Sequence, residues 1–168
     1  KLEQVVRRLT KKYKKQIFGF KVDITSKKNL EKTKEKIVKE LGKVDILINN
    51  AANNPKVETV QKRKNWTRFE NFPENIWNDD LSVGLKGAFF CSQVLGDCMA
   101  QQGKGVILNI SSDLGIIGPD QRIYKKKGLK EEQQMVKPVT YSVIKHGLIG
   151  LTRYLATYWA NKRIRVNA

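Results

Sequence analysis

Apolar residues recur along this chain with two spacings, one typical of helices and the other of short buried strands. The helical spacing predicts helices over 1–15, from a cap at Thr25 or Ser26 to Gly42, over 76–101 and over 139–159. Short apolar runs predict strands at 17–24, 44–49, 105–110 and 164–168. A long connection, 53–75, joins the second strand to the third helix.

The regular alternation of helices and strands predicts the fold class. Because the strands are almost entirely apolar, and 44–49 is expected to be covered on both faces, we expect a doubly wound α/β fold. Its sheet would be mainly parallel, with helices on both faces. Ligands bind beyond the carboxyl ends of such strands. The residues at those ends are small or polar: Asp23, Asn49 to Ala52, Ser111 and Ser112.

The charge of the chain raises a second hypothesis. Lys and Arg number 33 against 16 Asp and Glu, which leaves a formal charge of +17 on 168 residues, and such a surface can bind nucleic acid. Residues 1–64, however, hold 19 of the basic and seven of the acidic residues, with few aromatics. Lys outnumbers Arg 25 to 8, which favours solvated helix faces over a nucleic-acid site.

Cysteine, histidine and hydropathy limit the class of protein further. Cys91 and Cys98 are too few for a disulfide framework, and His146 is the only histidine, so no metal site is expected. No apolar run approaches the roughly 18 residues of a membrane helix. We therefore expect reduced thiols in a cytoplasmic protein of one domain with no membrane partner.

Tyr141 and Lys145, in the segment YSVIK, lie four residues apart on a predicted helix, so both can face one cleft. A tyrosine side chain, with an ordinary pKa of about 10, transfers protons poorly at neutral pH, and a nearby ammonium favours its phenolate. The pair by itself is weak, because lysine is frequent in this chain. The alternative is an amphipathic helix with Tyr141 half-buried and Lys145 in solvent.

Three further segments precede YSVIK in a fixed order: VDIT (22–25), LINNAA (47–52) and ILNISS (107–112). Together the four resemble the short-chain dehydrogenase/reductase family along nearly the whole chain. The resemblance implies an NAD(P)-dependent oxidoreductase that transfers hydride reversibly between the nicotinamide and a carbonyl or alcohol substrate. The choice between NAD and NADP stays open.

The resemblance also implies roles for individual residues. Tyr141 would be the acid/base that exchanges a proton with the substrate oxygen, and Lys145 would support its phenolate and hold the nicotinamide ribose. Ser112 would donate a hydrogen bond to the substrate carbonyl, with Ser111 as the alternative. The expected contacts on the adenosine side of the cofactor are Asp23, Ile24, Asn50 and Ala51.

Three positions depart from the family pattern. Gly84 stands where the family has an Asn, at a helix kink whose main-chain carbonyl holds a relay water, and this puts the proton relay in question. Ala52 replaces the last glycine of the family's NNAG motif. Ser112 and Tyr141 are 29 residues apart, and the excess forms a Lys-rich loop, 119–137, expected to hang over the substrate pocket. Its cations would suit an anionic substrate such as a nucleotide sugar, although a solvated loop is the simpler interpretation.

The chain contains no Gly-x-x-x-Gly-x-Gly motif, which the family carries between its first strand and first helix. We therefore expect 1–168 to be a partial Rossmann-type domain that lacks the first two strands, the last strand and the C-terminal substrate region, and to be inactive alone. The family resemblance further implies a homodimer or homotetramer and a small carbonyl or alcohol substrate, such as a sugar or a 3-oxoacyl compound. The alternatives are a non-catalytic Rossmann-like remnant or a basic nucleic-acid-binding module.

Overall fold

The computed structural model describes residues 1–53 and 65–168, and a parallel three-stranded sheet lies at their centre. Strands β1 (Ile46–Asn49), β2 (Gly105–Asn109) and β3 (Ile164–Asn167) are hydrogen-bonded in that order. In the register, Leu47 lies opposite Ile107, and Ile107 opposite Val166. The predicted parallel α/β class is confirmed.

The described residues form five α-helices. They are α1 (Leu2–Tyr13), α2 (Lys27–Leu41), α3 (Glu74–Leu81), α4 (Gly87–Gln102) and α5 (Val139–Tyr158). The Ser26 hydroxyl caps α2 by accepting a hydrogen bond from the Asn29 amide, and Gly42 ends the helix with a φ of 79°. The predicted helix 76–101 is divided by a π-helical turn, Ser82–Lys86, between α3 and α4.

The core lies on one face of the sheet. Leu47, Ile107 and Val166 point from the three strands toward α2, α4 and α5. Met99 of α4 and Trp159, just after α5, complete this cluster of buried side chains. The apolar faces of α2, α4 and α5 are therefore buried against a single face of the sheet.

The opposite face corrects one prediction. The segment 44–49 was expected to form a strand covered on both faces, yet Ile46 is 62% and Ile48 57% exposed. Among the described residues, no helix packs over these two side chains, so the apolar run is buried only on alternate residues.

The predicted strand at 17–24 is also wrong. This segment has no strand conformation, because no strand of the described residues lies beside it and an isolated strand leaves its backbone hydrogen bonds unmade. Its apolar residues still pack: a Cβ at Gly19 would meet Val6 of α1 at 2.6 Å, and Val22 and Ile24 contact the core. The alternation of apolar and polar residues in 17–24 thus correctly predicted that the apolar side chains pack inward, but wrongly predicted that the segment pairs with a strand.

Three other expectations concern the remainder of the chain. Residues 54–64 of the predicted connection 53–75 lie outside the described residues, and the rest includes a 3₁₀ turn at Phe69–Asn71. Cys91 and Cys98 are free thiols, and burial raises the pKa of Cys91 to about 11. Every helix in the described part of the chain is too short or too polar to cross a bilayer.

Candidate active site

A cleft of about 240 Å³ lies between the carboxyl end of β1 and the beginning of α5. Its walls include Asn50, Ala52, Asp80, Tyr141, Ile144 and Lys145. Tyr124 and Lys137, from the Lys-rich loop, complete one side. The cleft therefore occupies the position at which parallel α/β sheets bind ligands.

Tyr141 and Lys145 share this cleft, as their spacing on α5 predicted. The Lys145 ammonium lies 5.6 Å from the centre of the Tyr141 ring and donates a hydrogen bond of 2.6 Å to the carbonyl oxygen of Ile110, at the end of β2. Lys145 is only 9% exposed. The alternative with Lys145 in solvent is thus wrong, and the sheet holds its charge close to the phenol.

The two serines after β2 make different contacts. Ser111 Oγ donates to the carbonyl oxygen of Lys145 at 2.9 Å, which ties the end of β2 to α5. Ser112 Oγ donates to the Asp113 carboxylate at 2.6 Å and accepts from the Leu114 amide at 3.3 Å. Ser112 lines a separate groove beside the carboxyl end of β2, so the structure does not place it in the cavity that Tyr141 and Lys145 line.

Gly115 is a residue of this region that the sequence analysis missed. It ends the turn Asp113–Gly115, which packs against α5. A Cβ there would lie 2.6 Å from Ser111 Oγ and 2.8 Å from the Lys145 carbonyl oxygen. Only glycine allows this close approach, and a glycine three residues after Ser112 was the available signal.

A buried amide network beneath the cleft was also missed. Asn49 Nδ2 donates to Ser92 Oγ at 3.0 Å and to Asn109 Oδ1 at 2.8 Å, and Asn109 Nδ2 donates to Thr152 Oγ1 at 2.9 Å. These bonds join β1, β2, α4 and α5. Because all four side chains are buried, their polar groups depend on one another for partners, and the network fixes the ends of the strands relative to α5.

Asp80 adds a buried carboxyl group to the wall of the cleft. It is 5% exposed, and its Oδ2 accepts a hydrogen bond of 2.6 Å from Thr140 Oγ1, next to Tyr141. Burial raises the pKa of Asp80, although the hydrogen bond from Thr140 acts in the opposite direction. The burial of Asp80 could not be predicted from its place in the predicted helix 76–101, because it depends on the contact between α3 and α5.

Gly84, where the family has an asparagine, is buried in the π-helical turn between α3 and α4. A Cβ at this position would lie 2.9 Å from both Cδ1 and Cγ2 of Ile144. Ile144 comes from α5, one residue before Lys145, and lines the cleft. In this protein the Ile144 side chain therefore occupies the space that a side chain at position 84 would need.

We expect Gly84→Ala in the full-length protein to lower the free energy of unfolding by about 1–3 kcal/mol, because the added methyl overpacks against Ile144. Gly150→Ala is the matched control, since Gly150 also lies in a helix and a Cβ there meets nothing within 4 Å. That control should be neutral or stabilising by up to about 1 kcal/mol. Urea unfolding measures both changes.

The coupling between the two positions is tested by repeating Gly84→Ala in an Ile144→Ala background. The cost of Gly84→Ala should then nearly vanish, because the methyl groups that it meets are gone. Equal costs in the two backgrounds would show that Ile144 does not exclude a side chain at position 84.

The predicted residues of the adenosine side are dispersed. Asp23 is exposed, and hydrogen bonds from the Thr25 hydroxyl and amide lower its pKa. Ile24 packs against α4, where a Cβ at Gly87 would lie 2.6 Å from its Cδ1. Asn50 and Ala51 are exposed after β1, and of the four predicted residues Asn50 alone lines the cleft with Tyr141 and Lys145.

The Lys-rich loop 119–137 is held in place by a buried glutamine. Gln134 donates to the carbonyl oxygens of Lys126 and Leu129 and accepts from the Lys126 amide, at 2.7 to 3.0 Å. Lys125 forms an ion pair of 2.8 Å with Glu131. Most of its lysines are exposed, as the solvated interpretation predicted, but Lys137 reaches the cleft.

Comparison with known proteins gives matches along the whole chain. The model of a family described as enoyl-(acyl carrier protein) reductase matches residues 1–168. An NAD-dependent glycerol dehydrogenase of Listeria innocua is 33% identical over 150 residues, which are 89% of this chain and 49% of that protein. A 2-dehydro-3-deoxy-D-gluconate 5-dehydrogenase of Dickeya dadantii is 33% identical over 135 residues, 80% of this chain and 43% of that protein.

A similar solved structure is that of ElxO with NADP bound. It superimposes with a TM-score of 0.78 at 25% identity and covers 99% of this chain and 57% of the other. The chain thus spans about half the length of the curated relatives that it matches. The similarity includes every segment that contributes to the cleft.

Proposed function

The chain belongs to the short-chain dehydrogenase/reductase family, and from this premise we propose that the full-length protein is an NAD(P)-dependent oxidoreductase. The reaction is reversible hydride transfer between the nicotinamide and a carbonyl or alcohol carbon. The observation that carries the proposal is the placement of Tyr141 and Lys145 in one cleft, with the Lys145 ammonium bonded to the end of β2.

Tyr141 is the proton-transfer residue in this proposal. During oxidation its phenolate removes the proton from the substrate hydroxyl, and during reduction its phenol returns a proton to the carbonyl oxygen. The ammonium of Lys145, 5.6 Å from the ring centre, stabilises the phenolate electrostatically. The carbonyl of Ile110 keeps this ammonium in place, so the stabilisation is available before substrate binds.

Ser112 is proposed as the hydrogen-bond donor to the substrate oxygen. In the structure its hydroxyl donates instead to Asp113, and this bond, with one from the Leu114 amide, lowers the pKa of Asp113. To reach a substrate the hydroxyl must rotate away from the carboxylate. Ser111 cannot serve as readily, because its hydroxyl already joins β2 to Lys145.

The cofactor is NAD or NADP, and the residues of the cleft fit its ribose and nicotinamide end. Lys145 has three N–H donors, and Ile110 is the one hydrogen-bond acceptor of this ammonium among the described residues, so two donors remain for ribose hydroxyls. Asn50 and Ala52 lie in the same cleft. When bound, the nicotinamide ring supplies or accepts the hydride.

We also propose that two or four copies of the protein associate through α4 and α5. Phe89 of α4 and Tyr154 of α5 are 44% and 62% exposed, and both line a groove between these helices. Exposed aromatic residues that share one surface are typical of protein interfaces. Analytical ultracentrifugation of the full-length protein tests this association.

The proposed function is tested by measuring cofactor binding and turnover separately. We expect NAD or NADP to raise the melting temperature of the full-length protein, and polyols to produce reduced nicotinamide absorbance in its presence. The two cofactors are compared at equal concentration. If no nicotinamide nucleotide changes the melting temperature and none is turned over, the proposed function is wrong.

A further inference from the structure

Lys137 places a second ammonium in the candidate cleft, immediately before α5. Its Nζ lies 3.8 Å from the centre of the Tyr141 ring, closer than the 5.6 Å of Lys145. An ammonium over an aromatic ring is attracted by the electrons of the ring face, so this contact directs the Lys137 side chain toward the site of proton transfer. The sequence predicted either anion binding or solvation for the lysines of the loop 119–137, and nothing in the sequence distinguished Lys137 from the others.

The backbone around Lys137 is fixed on both sides. The Lys137 amide donates to Gln121 Oε1 at 2.9 Å, and the preceding amide, of Val136, donates to the buried Thr67 Oγ1 at 3.2 Å. Pro138 follows and restricts the chain further. The ammonium is therefore presented by an ordered segment.

Lys137 forms no close ion pair with a carboxylate in the described part of the chain. Four ion pairs join described residues, and none includes Lys137. Its Nζ also donates no hydrogen bond to a described residue, whereas Lys125 of the same loop is paired with Glu131. The donors of Lys137 are thus available in the cleft that it lines.

The other charged groups near Lys137 are already satisfied. The Ser112 hydroxyl and the Leu114 amide, with a smaller contribution from Lys137, lower the pKa of Asp113, which those two groups already hydrogen-bond. Burial raises the pKa of Asp80, which accepts from Thr140. Lys145 is bonded to Ile110. Because these groups are held by other hydrogen bonds, an anion that enters the cleft can accept from the unused donors of Lys137.

We propose that Lys137 binds the carboxylate of the substrate, and that the substrate is a small hydroxy acid, which oxidation converts to the corresponding oxo acid. This inference rests on the proposed function and assigns its substrate class. The Lys137 ammonium contacts the Tyr141 ring, and the hydroxyl oxygen of that same ring exchanges the proton. The anionic group of the substrate consequently lies only a few bonds from the reacting carbon, which disfavours substrates whose charge is distant from the carbonyl.

The experiment compares matched substrates in the full-length enzyme with its preferred cofactor. The pairs are glycerol with glycerate and glucitol with gluconate, and glycerol 3-phosphate distinguishes a phosphate from a carboxylate. Lys137→Gln removes the charge, Lys137→Arg keeps it, and Lys127→Gln makes the same charge change at an exposed position of the same loop. Melting temperatures of all variants confirm that they fold.

We expect the wild-type enzyme to prefer at least one acid over its matched polyol by about tenfold or more in kcat/KM. Lys137→Gln should lower kcat/KM for that acid, mainly through KM, by about 10- to 100-fold more than for the matched polyol. Lys137→Arg should keep the preference, and Lys127→Gln should behave as the wild type.

Several results would overturn the inference and leave the proposed function standing. They are preference for the neutral polyols, preference for glycerol 3-phosphate over glycerate, an equal loss for acid and polyol in Lys137→Gln, and cofactor binding without any reaction or inhibition by the acids. By contrast, absence of both cofactor binding and turnover contradicts the proposed function itself, and the inference falls with it.

Discussion

A Tyr141→Phe substitution in the full-length enzyme is expected to lower kcat by about 10²–10⁴-fold, while cofactor binding and the melting temperature stay close to those of the wild type. Phenylalanine keeps the ring that contacts Lys137 and removes only the oxygen that exchanges the proton. The Lys145 ammonium does not replace that oxygen, because it is bonded to Ile110 and is held 5.6 Å from the ring centre.

Steady-state kinetics and a cofactor titration measure these two effects. Tyr13→Phe is the matched control, since Tyr13, on α1, is 57% exposed and also has an ammonium near its ring, that of Lys12 at 5.1 Å from the ring centre, but lies outside the cleft. Its kinetic constants should equal those of the wild type. Wild-type turnover by the Tyr141→Phe variant would exclude Tyr141 as the acid/base.

The second large effect is expected from Lys145→Met, which should lower kcat/KM by about 10²-fold or more. The phenolate of Tyr141 then lacks the buried ammonium, and the KM of the cofactor should rise because the donors for the ribose hydroxyls are lost. The Ile110 carbonyl also loses its donor, which costs about 1–3 kcal/mol of the free energy of unfolding. Steady-state kinetics, a cofactor titration and urea unfolding measure these consequences.

Lys86→Met provides the control for Lys145→Met. The Lys86 ammonium lies 5.4 Å from the centre of the Phe90 ring, an arrangement similar to that of Lys145 and Tyr141, but Lys86 is exposed and does not line the candidate cleft. This variant should keep the wild-type kcat/KM and cofactor KM. If Lys145→Met loses stability without any change in kcat/KM or cofactor KM, Lys145 has only a structural role.

Much of the fold could be predicted because the signals are local. Helical spacing predicted α5 within one residue at its end, Ser26 and Gly42 bounded α2, and apolar runs located β1, β2 and β3. The placement of Tyr141 and Lys145 in one cleft could also be predicted, because two residues four apart face the same side of any helix. Ser111 and Ser112 were predicted as a pair after β2, but their different contacts depend on the orientation of α5 and could not be read from the segment.

By itself, the sequence determined the alternation of helices and strands, the parallel class and the pairing of Tyr141 with Lys145 on α5, since these follow from the spacing of neighbouring residues. Tertiary structure alone decided which predicted segments pair as strands and which side chains from distant parts of the chain pack together. The segment 17–24 is not a strand because no strand of the described residues lies beside it, and Ile144 fills the space beside Gly84. Lys137 lies over Tyr141 because distant side chains, Gln121 and Thr67, hold its backbone there. Such contacts join residues far apart in the chain, so their geometry is set by packing and not by local periodicity.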